Sequence, residues 1–255
     1  MKKIFYFSGT GNTLALAKEL AVKIEGIELV KISYDMDFNQ QNCDIAGIAY
    51  PVYCFGLPNI VMNFIENVQL SKECYIFGLA SYGALLTSSG KILKKKLSER
   101  GYKLSAGFAI NMPGNAQAVY DVPKDDKVKN MYQKAQSKIE EISAIIDNRQ
   151  SYKVQTNLGL IGRLMSKMSV GMMSTIHTTA KSFKVEDSCD SCKICVNVCP
   201  VRNVAMNNEK PAWGDKCEGC MACFHWCPKA AIQANEKTIK RGRYHHSKIE
   251  LKEML

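Results

Sequence analysis

Eight of the eleven cysteines lie between Cys189 and Cys227, in two copies of the pattern C-x2-C-x2-C-x3-C-P. The first copy is Cys189, Cys192, Cys195, Cys199 and Pro200; the second, 28 positions on, is Cys217, Cys220, Cys223, Cys227 and Pro228. A match at every cysteine marks an internal duplication. Three thiolates at this spacing wrap one face of a [4Fe-4S] cube, and the fourth cysteine of each copy ligates the other cube. The expected sets are therefore Cys189, Cys192, Cys195 and Cys227 for one cluster, and Cys217, Cys220, Cys223 and Cys199 for the other. A zinc knuckle reading strands one cysteine in each copy. A disulfide framework calls for a secretory signal, and the opening residues do not read as one. The prolines suit a chain that turns away after its last ligand.

A second chemistry is encoded near the start. Residues 3–7 read as a short buried strand, Ser8-Gly9-Thr10-Gly11-Asn12-Thr13 follows directly, and Leu16, Leu20 and Ile24 then recur at helical spacing. A strand–loop–helix of this kind offers backbone N–H groups and a helix N-terminus to an anion. Four hydroxyl or amide side chains and two glycines suit a terminal phosphate monoester. A dinucleotide fingerprint needs a third glycine where Leu14 stands, and a P-loop needs Gly-Lys-Ser/Thr across Leu14 and Ala15, so both are disfavoured.

The elements that position these groups follow from periodicity. Residues 27–32, 45–50, 75–80 and 102–110 read as strands, and 58–68, 88–98 and 125–148 as helices; this alternation means a parallel sheet covered on both faces. Residues 8–13 look like the phosphate loop of flavodoxins, which bind FMN. That resemblance implies a flavodoxin-like, doubly wound five-stranded α/β sheet of order 2-1-3-4-5, with the ligand outside the carboxyl ends of the strands. It also implies that Pro51, Val52, Tyr53, Cys54, Phe55 and Gly56 after the third strand, and Ser81, Tyr82, Gly83 and Ala84 after the fourth, flank the flavin ring. Tyr53 or Phe55 would lie on one face and Tyr82 on the other. The loop Asn111-Met112-Pro113-Gly114-Asn115 is placed to cover the same site. Cys43, Cys54 and Cys74 read as small buried fillers.

Residues 189–228 resemble a bacterial two-cluster ferredoxin, an α+β unit in which a short hairpin backs each cluster. Turn residues Asn207-Asn208-Glu209 and Asn235-Glu236 would join the two hairpins. The whole chain resembles fusions of a flavodoxin-like domain with a two-cluster ferredoxin. The expected organisation is 1–150 for FMN binding, 151–182 as a linker, and 183–255 as the ferredoxin domain. Within the linker, Ile161, Leu164, Met165, Met168, Met172 and Ile176 form a helical stripe.

The net charge of +10 invites a nucleic-acid reading, but two cubes and a flavin phosphate, at about −2 each, would leave roughly +4. No nucleic-acid motif is present, and no apolar run approaches a membrane span. The basic segment 240–246 reads as solvated or packed near phosphate. Opening residues that do not read as a signal, and iron–sulfur ligation that suits a reducing compartment, lead to the expectation of a cytoplasmic protein. The resemblance implies electron transfer between FMN and two [4Fe-4S] clusters, with a redox protein as donor or acceptor. A small-molecule acceptor reduced at the flavin, and pairing of two chains, stay open.

Overall fold

The computed structural model describes residues 1–84, 88–156 and 176–255. Five parallel strands, β1 (Lys2–Tyr6), β2 (Ile27–Lys31), β3 (Ile45–Pro51), β4 (Tyr75–Tyr82) and β5 (Leu104–Asn111), form one sheet in the order β2-β1-β3-β4-β5. This is the expected 2-1-3-4-5 order. Its direction reverses between β1 and β3, whose registers pair Lys2 with Ile45 and Tyr6 with Ala49. The loops after these two strands diverge and open a crevice there. A two-residue parallel ribbon, Asn39–Gln40 with Gln69–Leu70, lies apart from the main sheet.

The central strands read as near-continuous apolar runs because helices cover both sheet faces. On one face α1 (Asn12–Lys23) and α4 (Asp125–Asp147) bury Leu16, Leu20, Ile139 and Ile146 against Ile4, Ile45 and Phe77. On the other, α2 (Asn59–Asn67) and α3 (Ser89–Glu99) bury Ile60, Phe64, Leu93 and Leu97 against Phe5 and Ile48. The second core continues into the C-terminal part through Ile176, Val198, Val201, Cys220, Ala222 and Trp226. Apolar packing therefore joins the two motif-bearing regions.

In the C-terminal part, β6 (Lys184–Val185), α5 (Ile194–Asn197), β7 (Val204–Asn207), β8 (Lys210–Trp213), α6 (Ala222–His225) and β9 (Ile232–Gln233) follow in turn. The first expected hairpin forms: β7 and β8 pair antiparallel, with Asn208 and Glu209 both left-handed at the turn. The second does not. β9 pairs instead with β6, and Glu236–Lys240 forms a short 3₁₀ turn. Asn235 accepts the Lys237 N–H at 3.1 Å, and the Thr238 hydroxyl accepts the Asn235 N–H at 3.3 Å. This reciprocal cap favours a helical turn over a strand.

The stripe Ile161, Leu164, Met165, Met168 and Met172 lies outside the described residues, whereas Ile176 is buried. Among the described residues no helix is long and apolar enough to cross a membrane.

Candidate cofactor sites at the domain junction

A cavity of about 460 Å³ opens beside the carboxyl ends of the strands. Its walls include Ser8, Gly9, Thr10, Asn12 and Thr13 after β1, residues 51–55 after β3, Ser81, Tyr82, Gly83 and Ala84 after β4, and residues 112–116 after β5. Of the loop residues expected at a flavin, Gly11 and Gly56 are not on the wall. Gly11 has φ 88°, and a Cβ there would meet Ile249 and His246, so it turns the chain into α1 from behind. Gly56 donates its N–H to the Tyr53 carbonyl at 2.7 Å. This closes a turn whose central residues, Cys54 and Phe55, are both left-handed, and it presents Phe55 at the tip.

The loop after β1 is extensively tied. The Gly11 N–H donates to Ser8 Oγ at 3.1 Å. The Thr13 and Ser81 hydroxyls are 2.8 Å apart, linking the first and third loops. Asn12 donates from Nδ2 to the Pro113 carbonyl at 2.8 Å and accepts at Oδ1 from the Tyr244 hydroxyl at 2.5 Å. Its amide is therefore primarily a staple between loops. No side chain caps α1, so its first-turn N–H groups are available to an anion. Among the described residues no Lys, Arg, His, Asp or Glu lines the cavity, and those residues would meet an anion there with dipoles and hydroxyls.

The aromatic residues divide. Tyr53 is buried edge-on against Phe7, with ring centroids 6.2 Å apart. Its hydroxyl faces Asn115 and Cys220 without a well-formed hydrogen bond, and burial raises its pKa well above the usual value. Phe55 and Tyr82 are half-buried on the cavity wall. They are the pair placed to contact a planar ring. Cys54 lies beside them, its thiol pKa raised by burial.

The remaining wall comes from the C-terminal part: Ile176, Gly219 and Met221 line the same cavity. Gly219 and Met221 bracket Cys220, whose carbonyl accepts from Asn115 Nδ2 at 3.2 Å. Gly9 passes so close that a Cβ would lie 2.6 Å from the Cys220 carbonyl oxygen. Nearby, Glu218 is buried; Tyr34 donates to its Oε1 at 3.1 Å, and its carboxylate faces the N–H groups of Asn59 and Ile60 that open α2. Burial raises its pKa. His225, buried beneath the same loop, accepts the Tyr244 N–H at Nδ1 (3.1 Å), so its Nε2–H donates to the Asn115 carbonyl (2.9 Å). Burial pulls its pKa down to about 4, which keeps this neutral tautomer.

The cysteine duplication is also a duplication of backbone shape. Ser191 and Gly219, Lys193 and Met221, and Arg202 and Ala230 all have positive φ, within a few degrees of one another in each pair. Helices α5 and α6 occupy matching positions. The Asn203 N–H donates to Cys199 Sγ at 3.2 Å, and the Ala231 N–H to Cys227 Sγ at 3.4 Å. Cys189, Cys192, Cys195 and Cys227 ring one small cavity with Ile194, Met206, Pro211 and Ile232. Burial and the neighbouring thiols Cys227, Cys192 and Cys189 push Cys195 up to about 11. Burial, and then Cys199, Cys223 and Cys217, likewise raise Cys220, and Cys223 is pushed up to about 12, first by burial. Thiols that oppose one another's ionisation in this way need a cation among them to be held as thiolates, which an iron centre supplies. Among the described residues no three Cys, His, Asp or Glu side chains converge on a single-ion site.

Trp226, Tyr244, His246, Glu218 and Met221 were not expected at the site. Their partners lie far away in sequence, and only the reading of segment 240–246 as packed near phosphate pointed this way. That tail is not solvated throughout: Tyr244 and His246 are buried against the loop after β1.

Residues 177–238 match the family described as a 4Fe-4S dicluster domain. Solved structures similar to the N-terminal region include the two-electron reduced flavodoxin of Megasphaera elsdenii, at 23% identity over 46% of this chain and 90% of that one (TM-score 0.37). An FMN-dependent NADH-azoreductase of Bacillus anthracis is similar at 13% identity over 57% and 99% (TM-score 0.36). The Trp repressor binding protein of Bacillus subtilis is similar at 19% identity over 55% and 96% (TM-score 0.38). No curated protein matches the chain. The sheet order and crevice loops define a flavodoxin-like α/β domain. It is followed in the chain by residues 177–238, which match a 4Fe-4S dicluster domain.

Proposed function

We propose that this protein passes electrons between two [4Fe-4S] clusters and FMN within one polypeptide. The observation that carries this reading is the shared wall: Gly219 and Met221 of the second cysteine copy face the same cavity as Gly9, Thr10 and Tyr82. Cys189, Cys192, Cys195 and Cys227 would hold one cluster, and Cys217, Cys220, Cys223 and Cys199 the other. The loop from Ser8 to Thr13 would take the FMN phosphate, with Phe55 and Tyr82 against the ring. When bound, the clusters exchange single electrons and the flavin one or two.

The residues around the two cysteine copies give the arrangement a direction. Cys192 is exposed, whereas its counterpart Cys220 is buried against the N-terminal domain. The first ligand set is therefore the side at which a redox protein can approach, and the second is the inner one. Among the described residues no carboxylate or imidazole for proton transfer lines the cavity, which favours a carrier over an enzyme. The reductase reading draws on the rim of the cavity, where Val119 is 74% exposed and a small oxidised compound has access.

Anaerobically isolated protein should contain FMN and about eight irons per chain. Titration of the reduced protein with quinones, enoates and nitro compounds then separates the readings. Stoichiometric oxidation without sustained turnover supports the carrier, and rapid turnover of one compound overturns it. Protein that takes up neither cofactor on reconstitution overturns both.

A further inference from the structure

Three consecutive features of the loop after β1 are held from outside the cavity, all by residues of the C-terminal part. The Trp226 indole N–H donates to the Gly9 carbonyl at 3.2 Å. The His246 N–H donates to the Thr10 carbonyl at 2.9 Å. The Tyr244 hydroxyl donates to Asn12 Oδ1 at 2.5 Å and lies 3.0 Å from the Tyr132 hydroxyl. None of Trp226, Tyr244 and His246 lines the cavity, and each is buried. Stacking fixes them further: Trp226 lies on His245 with centroids 4.2 Å apart, and His246 on Tyr132 at 4.3 Å.

Peptide planarity gives these contacts a consequence. In a trans peptide unit the carbonyl and the N–H point in opposite directions. Drawing the Gly9 carbonyl outward to the indole turns the Thr10 N–H the other way, and drawing the Thr10 carbonyl outward turns the Gly11 N–H back toward Ser8, where it bonds the hydroxyl. The Thr10 N–H is thus aimed by a group that never touches the ligand, and Tyr244 holds the Asn12 staple that fixes the same loop in place. Among the described residues no cation lines the cavity, so this aiming supplies much of what they offer a phosphate there.

We propose that the phosphate site is a composite of both domains, in which Trp226 and Tyr244 are positioning residues that set FMN affinity through the phosphate. This rests on the FMN reading above. It predicts that the C-terminal domain helps build the flavin site as well as facing it.

The test uses full-chain, iron-loaded protein freed of FMN, titrated separately with FMN and with riboflavin, which lacks the phosphate. Tyr244→Phe removes one hydroxyl donor and keeps the ring, while Trp226→Phe keeps an aromatic ring but loses the indole N–H and part of the stack on His245. Each should raise the FMN Kd about tenfold, leaving the riboflavin Kd and the iron content unchanged. An unchanged FMN Kd in both variants overturns the proposal, as does equal weakening of FMN and riboflavin, which is the mark of a merely structural role. Should Trp226→Phe lose iron because Cys227 is its neighbour, Tyr244→Phe alone decides. Thr10→Val separates this proposal from its foundation. If Thr10→Val weakens FMN and the other two do not, only the composite site fails; if all three leave FMN untouched, the loop is not the phosphate site and the FMN reading fails with it.

Discussion

Replacing Gly9 with alanine tests the junction directly, because it puts a methyl group where the two domains are closest. The new Cβ would lie 2.6 Å from the Cys220 carbonyl oxygen, 2.9 Å from the Tyr53 hydroxyl and 3.1 Å from the Cys220 Cβ. Two of these three atoms belong to the cysteine loop, and the nearest is backbone, so rotamer changes cannot absorb the clash. Restoring an ordinary contact of 3.4 Å needs the two segments to part by about 0.8 Å. Such a shift strains the Trp226 bond to Gly9, already 3.2 Å long, and the Asn115 bond to Cys220, also 3.2 Å. Overpacking of this kind costs about 1–3 kcal/mol. If the cost falls on the loop's bound geometry, the FMN Kd rises about 5- to 150-fold. Flavin titration of the iron-loaded protein measures that rise, and flash reduction followed at flavin wavelengths should show slower arrival of electrons. Gly26→Ala is the control, since no atom lies within 4 Å of its Cβ; it should leave flavin affinity unchanged despite local strain at φ 71°. Wild-type affinity and rate in Gly9→Ala would refute the close approach of the cysteine loop to the nucleotide loop.

Other expectations follow from the ligand sets and the buried tail. Cys195→Ala and Cys227→Ala should each lose the same cluster, and Cys199→Ala the other, with about four irons retained in each case; iron analysis and electron paramagnetic resonance of the reduced variants check this, and identical spectra from Cys195→Ala and Cys199→Ala would contradict the crossed assignment. Burial lowers the His246 pKa to about 4, below the unfolded value of about 6.5. Its contribution is therefore intact above pH 6.5 and is lost as pH falls toward 4, at a cost of roughly 3 kcal/mol. Flavin release, followed by fluorescence over that range, should be steeper in the wild type than in His246→Gln.

What could be read from the sequence was whatever is local. The eight cysteines announce themselves through spacing, the loop from Ser8 to Thr13 through its hydroxyl density after a strand, and the sheet through alternating periodicity. The second hairpin was misread because Asn235 serves equally as a turn residue or a cap, and only Thr238 three residues later tips the choice. The junction was not legible. Asn12 looked like a ligand, but its side chain is held between Pro113 and Tyr244, 101 and 232 positions away. Glu218, inside a C-x2-C turn, is buried against the start of α2. Such pairings depend on how two domains meet, and no short window of sequence encodes them.

The matched left-handed positions of the two cysteine copies bear on descent. On the crossed ligand sets proposed above, a lone half would complete its ligands only by pairing with an identical twin. In that twofold assembly every substitution would have appeared twice. Within one polypeptide the halves are free to differ, and the difference is visible position by position. Exposed Asp190, Lys193 and Asn197 answer to buried Glu218, Met221 and His225. One half faces water while the other complements a neighbouring domain, a specialisation closed to a symmetric pair.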